Sequence, residues 1–449
     1  MASKTLYIGL AIAVVLIVVV AVLLSQGGGQ TTPTQPPKQS PTVTTSTPGG
    51  GQTTSTQQTT PTQAVKTVYI GAALPLTGGL QSYGVGVKNA VEMAVEDANK
   101  MCGGKVKFEL LVEDTGTSPT QALQKVQTLY SKGARLIVGP MASGEVSASK
   151  SFADQNHVII FSPSSTSPLL AIPNDWVYRI VPTDFAQAAA IAALMQKLGI
   201  KKAVILYRND AWGVGLKDAI TNESKKLGIQ IAAAEGYDPD PKAFPTAVPQ
   251  AVNKLSSALG QPSPDVALIL VTFEDDGLVA VQSAAGDPVL GRIRWIGTDG
   301  IAYSDALIKQ VGKEMAAAKM LGTIAGPNPA DPKYQEFKQR YKAKYGKDPV
   351  AYDPYGYDAA MLLMQIVCQL GTEDPDKVRA TLEQWGRDGT YQGVTGRVYL
   401  DAAGDRAYPN YIIWGVVTEG GQPKYVDAAY YYGADKKIEV YDAGKPLFQ

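Results

Sequence analysis

From about residue 65 to residue 300 the chain alternates between two hydrophobic patterns. Unbroken apolar runs at 68–75, 108–114, 135–140 and 158–161 have the length and bounding turns of buried strands. Between them apolar residues recur every three or four positions. In 83–100, Val87, Ala90, Val91, Ala94, Val95 and Ala98 fall on one helical face. Pro119 leads a second helix at 120–131, Gly133 stops it, and a third spans 144–154. Continuous apolar strands alternating with amphipathic helices predict a parallel sheet covered by helices on both faces. After an extended stretch at 176–184 containing Pro182 the alternation resumes. Helices are predicted at 185–198, 213–227, 243–259 and 278–285, and strands at 203–207, 230–234, 266–272 and 294–298. A second sheet of the same kind follows, so the predicted class is α/β with two doubly wound lobes. Helices at 334–345, 359–370 and 375–384 are left to cover the first lobe, and 430–432, three tyrosines, suggest an exposed strand.

Outside this body the pattern changes. Residues 6–24 form an apolar run of about 19 residues, long enough to cross a bilayer core, and we read 1–24 as a transmembrane signal anchor. A cleaved secretory signal is the rival. Residues 25–64 collapse to Gly, Gln, Thr, Pro and Ser with one charge, Lys38, a composition expected to form a disordered stalk.

Charge and rare residues narrow the function. Lys plus Arg and Asp plus Glu both number 41, with no basic footprint for nucleic acid. One histidine, His157, excludes a zinc site built on several histidines, and no metal or cofactor is expected. An enzyme would need a nucleophile with its base or a metal cluster, and neither is visible.

The strand at 158–161 runs into Ser162-Pro163-Ser164-Ser165-Thr166-Ser167. Ligands of open α/β sheets lie at the carboxyl ends of strands, and free N–H groups with the hydroxyls of Ser164, Ser165 and Thr166 would make a cup of donors for a carboxylate. A Ser-rich surface loop is the alternative on this stretch alone.

Nearly all of 66–430 resembles the Leu/Ile/Val-type extracellular solute-binding proteins of ABC importers, the periplasmic-binding fold of type I. The resemblance rests on Gly71-Ala72-Ala73-Leu74-Pro75-Leu76-Thr77-Gly78, Gly139-Pro140-Met141-Ala142-Ser143, Ser162-Pro163-Ser164-Ser165-Thr166, Trp212-Gly213 and Gly297-Thr298-Asp299-Gly300, in the family's order. It implies two Rossmann-like lobes joined by a three-strand hinge, closing on one small ligand. The divisions are then 65–182 and 326–400 for the first lobe, 183–325 for the second, and 401–449 for a return to the second with a tail.

Carried over by position, Ser143, the backbone of Ser164, and Thr166 would hold an α-carboxylate and share in holding an α-ammonium, which Asp299 opposes from the second lobe. Tyr83, Trp212 and the pair Thr272-Phe273 would wall the side-chain pocket. Trp212 stands where the family usually has Tyr or another aromatic, and Glu274-Asp275-Asp276 puts three carboxylates beside the cleft. The resemblance favours an aliphatic amino acid, and these departures leave a cationic amino acid or an amide as alternatives.

Cys102 closes the first helix and Cys368 ends a late one assigned to the same lobe. If those helices lie side by side, a disulfide is feasible outside the cell, contributing about 4–5 kcal/mol; two separate buried thiols are the alternative. The expected protein is a membrane-tethered, extracytoplasmic receptor that binds a small amino acid or similar polar solute and delivers it to an ABC permease. A sensory ectodomain on the same fold is the second reading.

Overall fold

The computed structural model describes residues 65–350, 352–407 and 409–449. The predicted anchor at 1–24 and stalk at 25–64 lie outside the described residues. Among the described residues no helix is long and apolar enough to cross a membrane.

The first sheet is wholly parallel. It contains β1 (Lys66–Leu74), β2 (Val106–Asp114), β3 (Leu136–Val138), β4 (Ile159–Ser162) and β5 (Val177–Arg179) in the order β2-β1-β3-β4-β5. Between successive strands run α1 (Gln81–Met101), α2 (Pro119–Ser131) and α3 (Ser143–Asn156). Reversal of strand order beside β1 leaves a crevice at the carboxyl ends of β1 and β3, the position where doubly wound sheets take ligands.

The second sheet repeats this winding and then departs from it. β6 (Lys202–Arg208), β7 (Gln230–Tyr237), β8 (Val266–Val271), β9 (Arg294–Gly297) and β10 (Leu321–Ala325) are parallel in the order β7-β6-β8-β9-β10. Their helices are α4 (Asp184–Lys197), α5 (Ala211–Lys226), α6 (Phe244–Leu259), α7 (Glu274–Gly286) and α8 (Asp305–Ala317). Next to β10 an antiparallel extension follows. The short strands β11 (Gln392–Gly393) and β12 (Gly396–Arg397) pair only with each other, and then β13 (Asn410–Glu419), β14 (Gln422–Tyr432) and β15 (Lys437–Val440) complete eight strands.

Three sequence expectations need correction here. The helix α8 and strand β10 were not predicted. Val311 breaks α8 with non-helical angles, although Leu307, Val311 and Met315 keep helical spacing, and β10 is five residues long with Gly322 as its second residue, where a Cβ would stand 2.2 Å from the Trp414 ring. The second sheet is therefore mixed rather than of the same kind as the first. Tyr430 and Tyr431 do not lie on an exposed strand, because β14 is flanked by β13 and β15 and both side chains are buried.

Helices α9 (Pro332–Tyr345), α10 (Asp353–Leu370) and α11 (Pro375–Asp388) return to the first sheet, with α10 packed along α1. Cys102, at the end of α1, is joined to Cys368 in the last turn of α10, with Cα atoms 5.7 Å apart. The chain thus passes between the sheets after β5, after β10 and after β12. Among the described residues these crossings do not form a three-stranded ladder; a single bridge pairs Arg179 of the first with Asp405 of the third, and Gly326 N of the second donates to the Asn410 carbonyl beside the third. At the bridge the fully buried Arg179 guanidinium donates to both carboxylate oxygens of Asp405 and to the Ser167 carbonyl.

Candidate functional site

The loops at the carboxyl ends of β3 and β4 are knitted together by short side chains. Ser162 Oγ donates to the Pro140 carbonyl at 2.6 Å and accepts from Ser165 N, while Ser164 Oγ donates to the Met141 carbonyl at 3.0 Å. Ser143, the first residue of α3, accepts from Ser165 Oγ and Ser167 N. The hydroxyls of this run therefore brace one loop against the other. Ser143 and Ser164 reach the wall of a small cavity between the two sheets, next to the amino end of α3, an anion-favouring position. Ser165 and Thr166 do not line it. Both are buried behind it, and Thr166 Oγ has no hydrogen-bond partner.

From the second sheet the cavity receives Trp212, Phe273, Asp299 and Gly300. Trp212 opens α5 just after Asp210, which caps the helix by accepting from Trp212 N and Gly213 N. Its indole stacks on Phe273 with centroids 4.9 Å apart and planes 20° apart, and the Arg208 guanidinium covers Phe273 at 4.2 Å. Gly300 is needed for this packing, since a Cβ there would stand 2.4 Å from the Thr272 carbonyl oxygen and 2.9 Å from the Trp212 ring. Thr272 itself is not on the wall. Its hydroxyl faces Gly277 in the first turn of α7, so of the predicted pair only Phe273 reaches the cavity.

Asp299 begins the 3-10 turn Asp299–Ile301 after β9 and is 5% exposed. Tyr352, which precedes α10, donates to one carboxylate oxygen at 2.6 Å, and Gln187 Nε2 of α4 donates to the other at 2.8 Å. Burial pushes the Asp299 carboxyl above the usual carboxylate range, and these two donors act to hold it down. Tyr83, on α1, directs its hydroxyl to the Ala302 carbonyl at 2.7 Å and to the Asp299 carbonyl at 3.2 Å.

Of the three acids at 274–276, two are engaged elsewhere. Both oxygens of Glu274 accept from Ser82 Oγ at 2.8 Å, across the cleft, and Asp276 pairs with Arg208 at 2.8 Å and accepts from Tyr237. Only Asp275 is exposed at the mouth.

Among the residues lining the cavity Asp299 alone bears a formal charge, and the rest of the wall is apolar, aromatic or hydroxylic. The space is narrow, leaving about 20 Å³ in which the centre of a water molecule can move, enough for about one water. A larger cavity of about 490 Å³ lies at the outer edge of the first sheet, beside β5, α11 and the turn 401–404. Tyr178 there is paired with Glu383 and Asp175 with Lys150, and none of its lining comes from the strands or helices of the second sheet, so it is the weaker candidate. His157 lies at the end of α3, hydrogen-bonded to Asp376 and stacked on Trp176, and is not among the cavity's lining residues.

Tyr352, Gln187, Leu80 and Met141 were not picked out from the sequence. The signal for Gln187 was its place three residues after Asp184, on the same face at the start of a helix. Tyr352 offered none, because it precedes a helix that begins more than fifty residues after Asp299.

Residues 86–419 match the family described as the receptor family ligand binding region. An uncharacterized protein of Methanocaldococcus jannaschii is 33% identical over 387 residues, covering 81% of this chain and 90% of its own. The Leu/Ile/Val-binding protein homolog 1 of Brucella abortus is 25% identical over 354 residues, covering 77% and 90%. A leucine-binding protein of Thermotoga maritima superposes with a TM-score of 0.69 at 23% identity, over 84% of this chain and 99% of that one. The chain belongs to the receptor family ligand binding region; it shares the fold of the leucine-binding protein and is similar in sequence to the Leu/Ile/Val-binding protein homolog.

Proposed function

We propose that this protein is the extracytoplasmic solute receptor of an ABC importer and captures a small amino acid with an apolar side chain, branched-chain types favoured. The observation that carries the reading is the polarity of one cavity. Ser143, Ser164 and the start of α3 stand on one side, the single acid Asp299 on the other, and Trp212, Phe273, Tyr83 and Leu80 lie between. A zwitterion needs donors at its carboxylate and an ionised acceptor at its ammonium, and charge-assisted bonds contribute about 1.5–3 kcal/mol each. Engagement of Glu274 and Asp276 by Ser82, Arg208 and Tyr237 leaves no acid pair for a cationic side chain and favours an apolar one.

In this reading residues 65–182 with 326–400 form one lobe and 183–325 with 401–449 the other. The apolar run at 6–24 tethers the receptor to the membrane, the stretch 25–64 serves as its stalk, and ABC permease subunits receive the solute. The relatives named as binding proteins support a receptor rather than an enzyme. A thermal-shift screen against amino acids, their deaminated acids and their amides tests it. A ligand at 100 times its dissociation constant adds about 2.7 kcal/mol of stability. Leucine, isoleucine or valine is expected to give that shift, and Asp299→Ala to abolish it. A shift with deaminated acids that Asp299→Ala leaves intact would refute the assignment.

A further inference from the structure

Helix α4 opens with Asp184, and on the same helical face three residues later Gln187 reaches Asp299. Asp184 has no exposed surface, and neither of its carboxylate oxygens has a hydrogen-bond partner. The one hydroxyl that faces it is that of Thr166, which acts to lower its pKa but makes no hydrogen bond of full geometry. The charged and titratable groups that face Asp184 are Asp299 after β9, Arg179 at the end of β5, Tyr352 before α10 and Tyr411 of β13. Arg179 is not free to neutralise it, because its guanidinium is engaged by both oxygens of Asp405 and by the Ser167 carbonyl. The buried cluster thus holds three acids, Asp184, Asp299 and Asp405, against one base. Burial and the neighbouring charge of Asp299 both push the Asp184 carboxyl well above the usual carboxylate range.

We infer that Asp184 carries a proton while the cleft is free of ligand and releases it when a cationic group enters beside Asp299, so that an ammonium ligand is captured in exchange for a proton. The proton belongs on Asp184 rather than Asp299 because Asp299 accepts two well-formed hydrogen bonds, which favour its ionised form, whereas Asp184 is approached by the Thr166 hydroxyl alone. In the exchange the O–H bond of the Asp184 carboxyl breaks, its electron pair stays on the carboxylate, and the proton leaves to solvent. Specificity follows, since a deaminated acid brings negative charge with no cation to displace the proton. The inference rests on the reading that the ligand carries an ammonium group.

Infrared difference spectroscopy of the ligand-free protein, wild type against Asp184→Asn, tests the proton without any ligand. A protonated-carboxyl band is expected in the wild type and not in the variant, and it should vanish when leucine saturates the wild type. Asp184→Ala gives a second reference should the Asn variant fold poorly. Titration calorimetry with leucine in two buffers of different ionisation heat should then count close to one proton released per leucine by the wild type and none by Asp184→Asn. Absence of the band overturns the inference even if leucine binds, and so does an equal proton count for the variant. A band accompanied by no amino-acid binding would uphold the proton, overturn the exchange, and refute the amino-acid reading separately.

Discussion

Asp353 shows how a single buried acid sets a pH response far from the ligand cavity. As the first residue of α10 it has no exposed surface, and one oxygen accepts from Val350 N at 3.0 Å. Burial is the main cause that pushes its carboxyl up to about 7, against the lowering effect of hydrogen bonds from Val350 and Tyr341. A folded state whose acid has a raised pKa holds more protons than the unfolded chain, so its stabilising share is complete at low pH and is lost as pH rises through about 7. From pH 5 to pH 8 the loss is roughly 2–3 kcal/mol. Asp353→Asn keeps the acceptor for Val350 and removes the titration. The variant is expected to be more stable than wild type at pH 8 and to show a flatter profile, measured by urea unfolding at both pH values. An unchanged slope would mean that the acid is ionised throughout. Asp405, pushed up to about 6 by burial despite Arg179, contributes in the same direction and keeps the variant's profile from becoming level.

The pairing of α1 with α10 joins segments far apart in sequence, since Cys102 and Cys368 are 266 residues apart. Closing so long a loop restricts the unfolded chain, and Cys102→Ser with Cys368→Ser is expected to lower stability by about 3–5 kcal/mol. Alkylation read by mass should modify neither cysteine of the unfolded protein without reductant and both with it; modification without reductant would show free thiols. That pairing also marks the limit of what local pattern conveys. The helix at 83–100 and the strands at 68–75 and 108–114 were legible because their periodicity and stops are local. Elements α8 and β10 were not, since Val311 and Gly322 answer to packing that only the folded molecule contains. The β13–β14 hairpin left a readable sign, Gly420-Gly421, both at positive φ as a two-residue turn requires, shortly after the largely apolar stretch 411–417. In the cavity, Asp299, Ser143, Ser164, Tyr83, Trp212 and Phe273 were reachable from motifs at strand and helix ends. Thr272 was misplaced by one residue, which in an extended chain turns a side chain to the opposite face. Tyr352 comes from a distant crossing that no local pattern ties to β9.

The two sheets are held together across the cleft by bonds that do not all serve the same state. Ser82 to Glu274 lies among residues outside the cavity wall, whereas Tyr352 engages the carboxylate that the proposed ligand requires. With room for about one water between the walls, no amino acid enters unless the sheets part, so binding runs through an open form. The Ser82–Glu274 bond can persist when a ligand is enclosed, and its loss destabilises the closed form with or without ligand. A bond to a charged partner contributes about 1.5–3 kcal/mol, so Ser82→Ala should shift the closed-to-open ratio toward open by about tenfold to a hundredfold. On the proposed reading the Tyr352–Asp299 bond belongs to the ligand-free closed form, where the hydroxyl stands in for the ligand's ammonium. Tyr352→Phe therefore destabilises only the state with which the ligand competes. Both variants are expected to increase the radius of gyration of the ligand-free protein in small-angle scattering. Their effects on leucine affinity should differ in sign, with Ser82→Ala weakening it and Tyr352→Phe strengthening it. Were Tyr352→Phe to weaken binding as much as Ser82→Ala does, the hydroxyl would be a ligand contact rather than an internal substitute, and closure without ligand would need another cause.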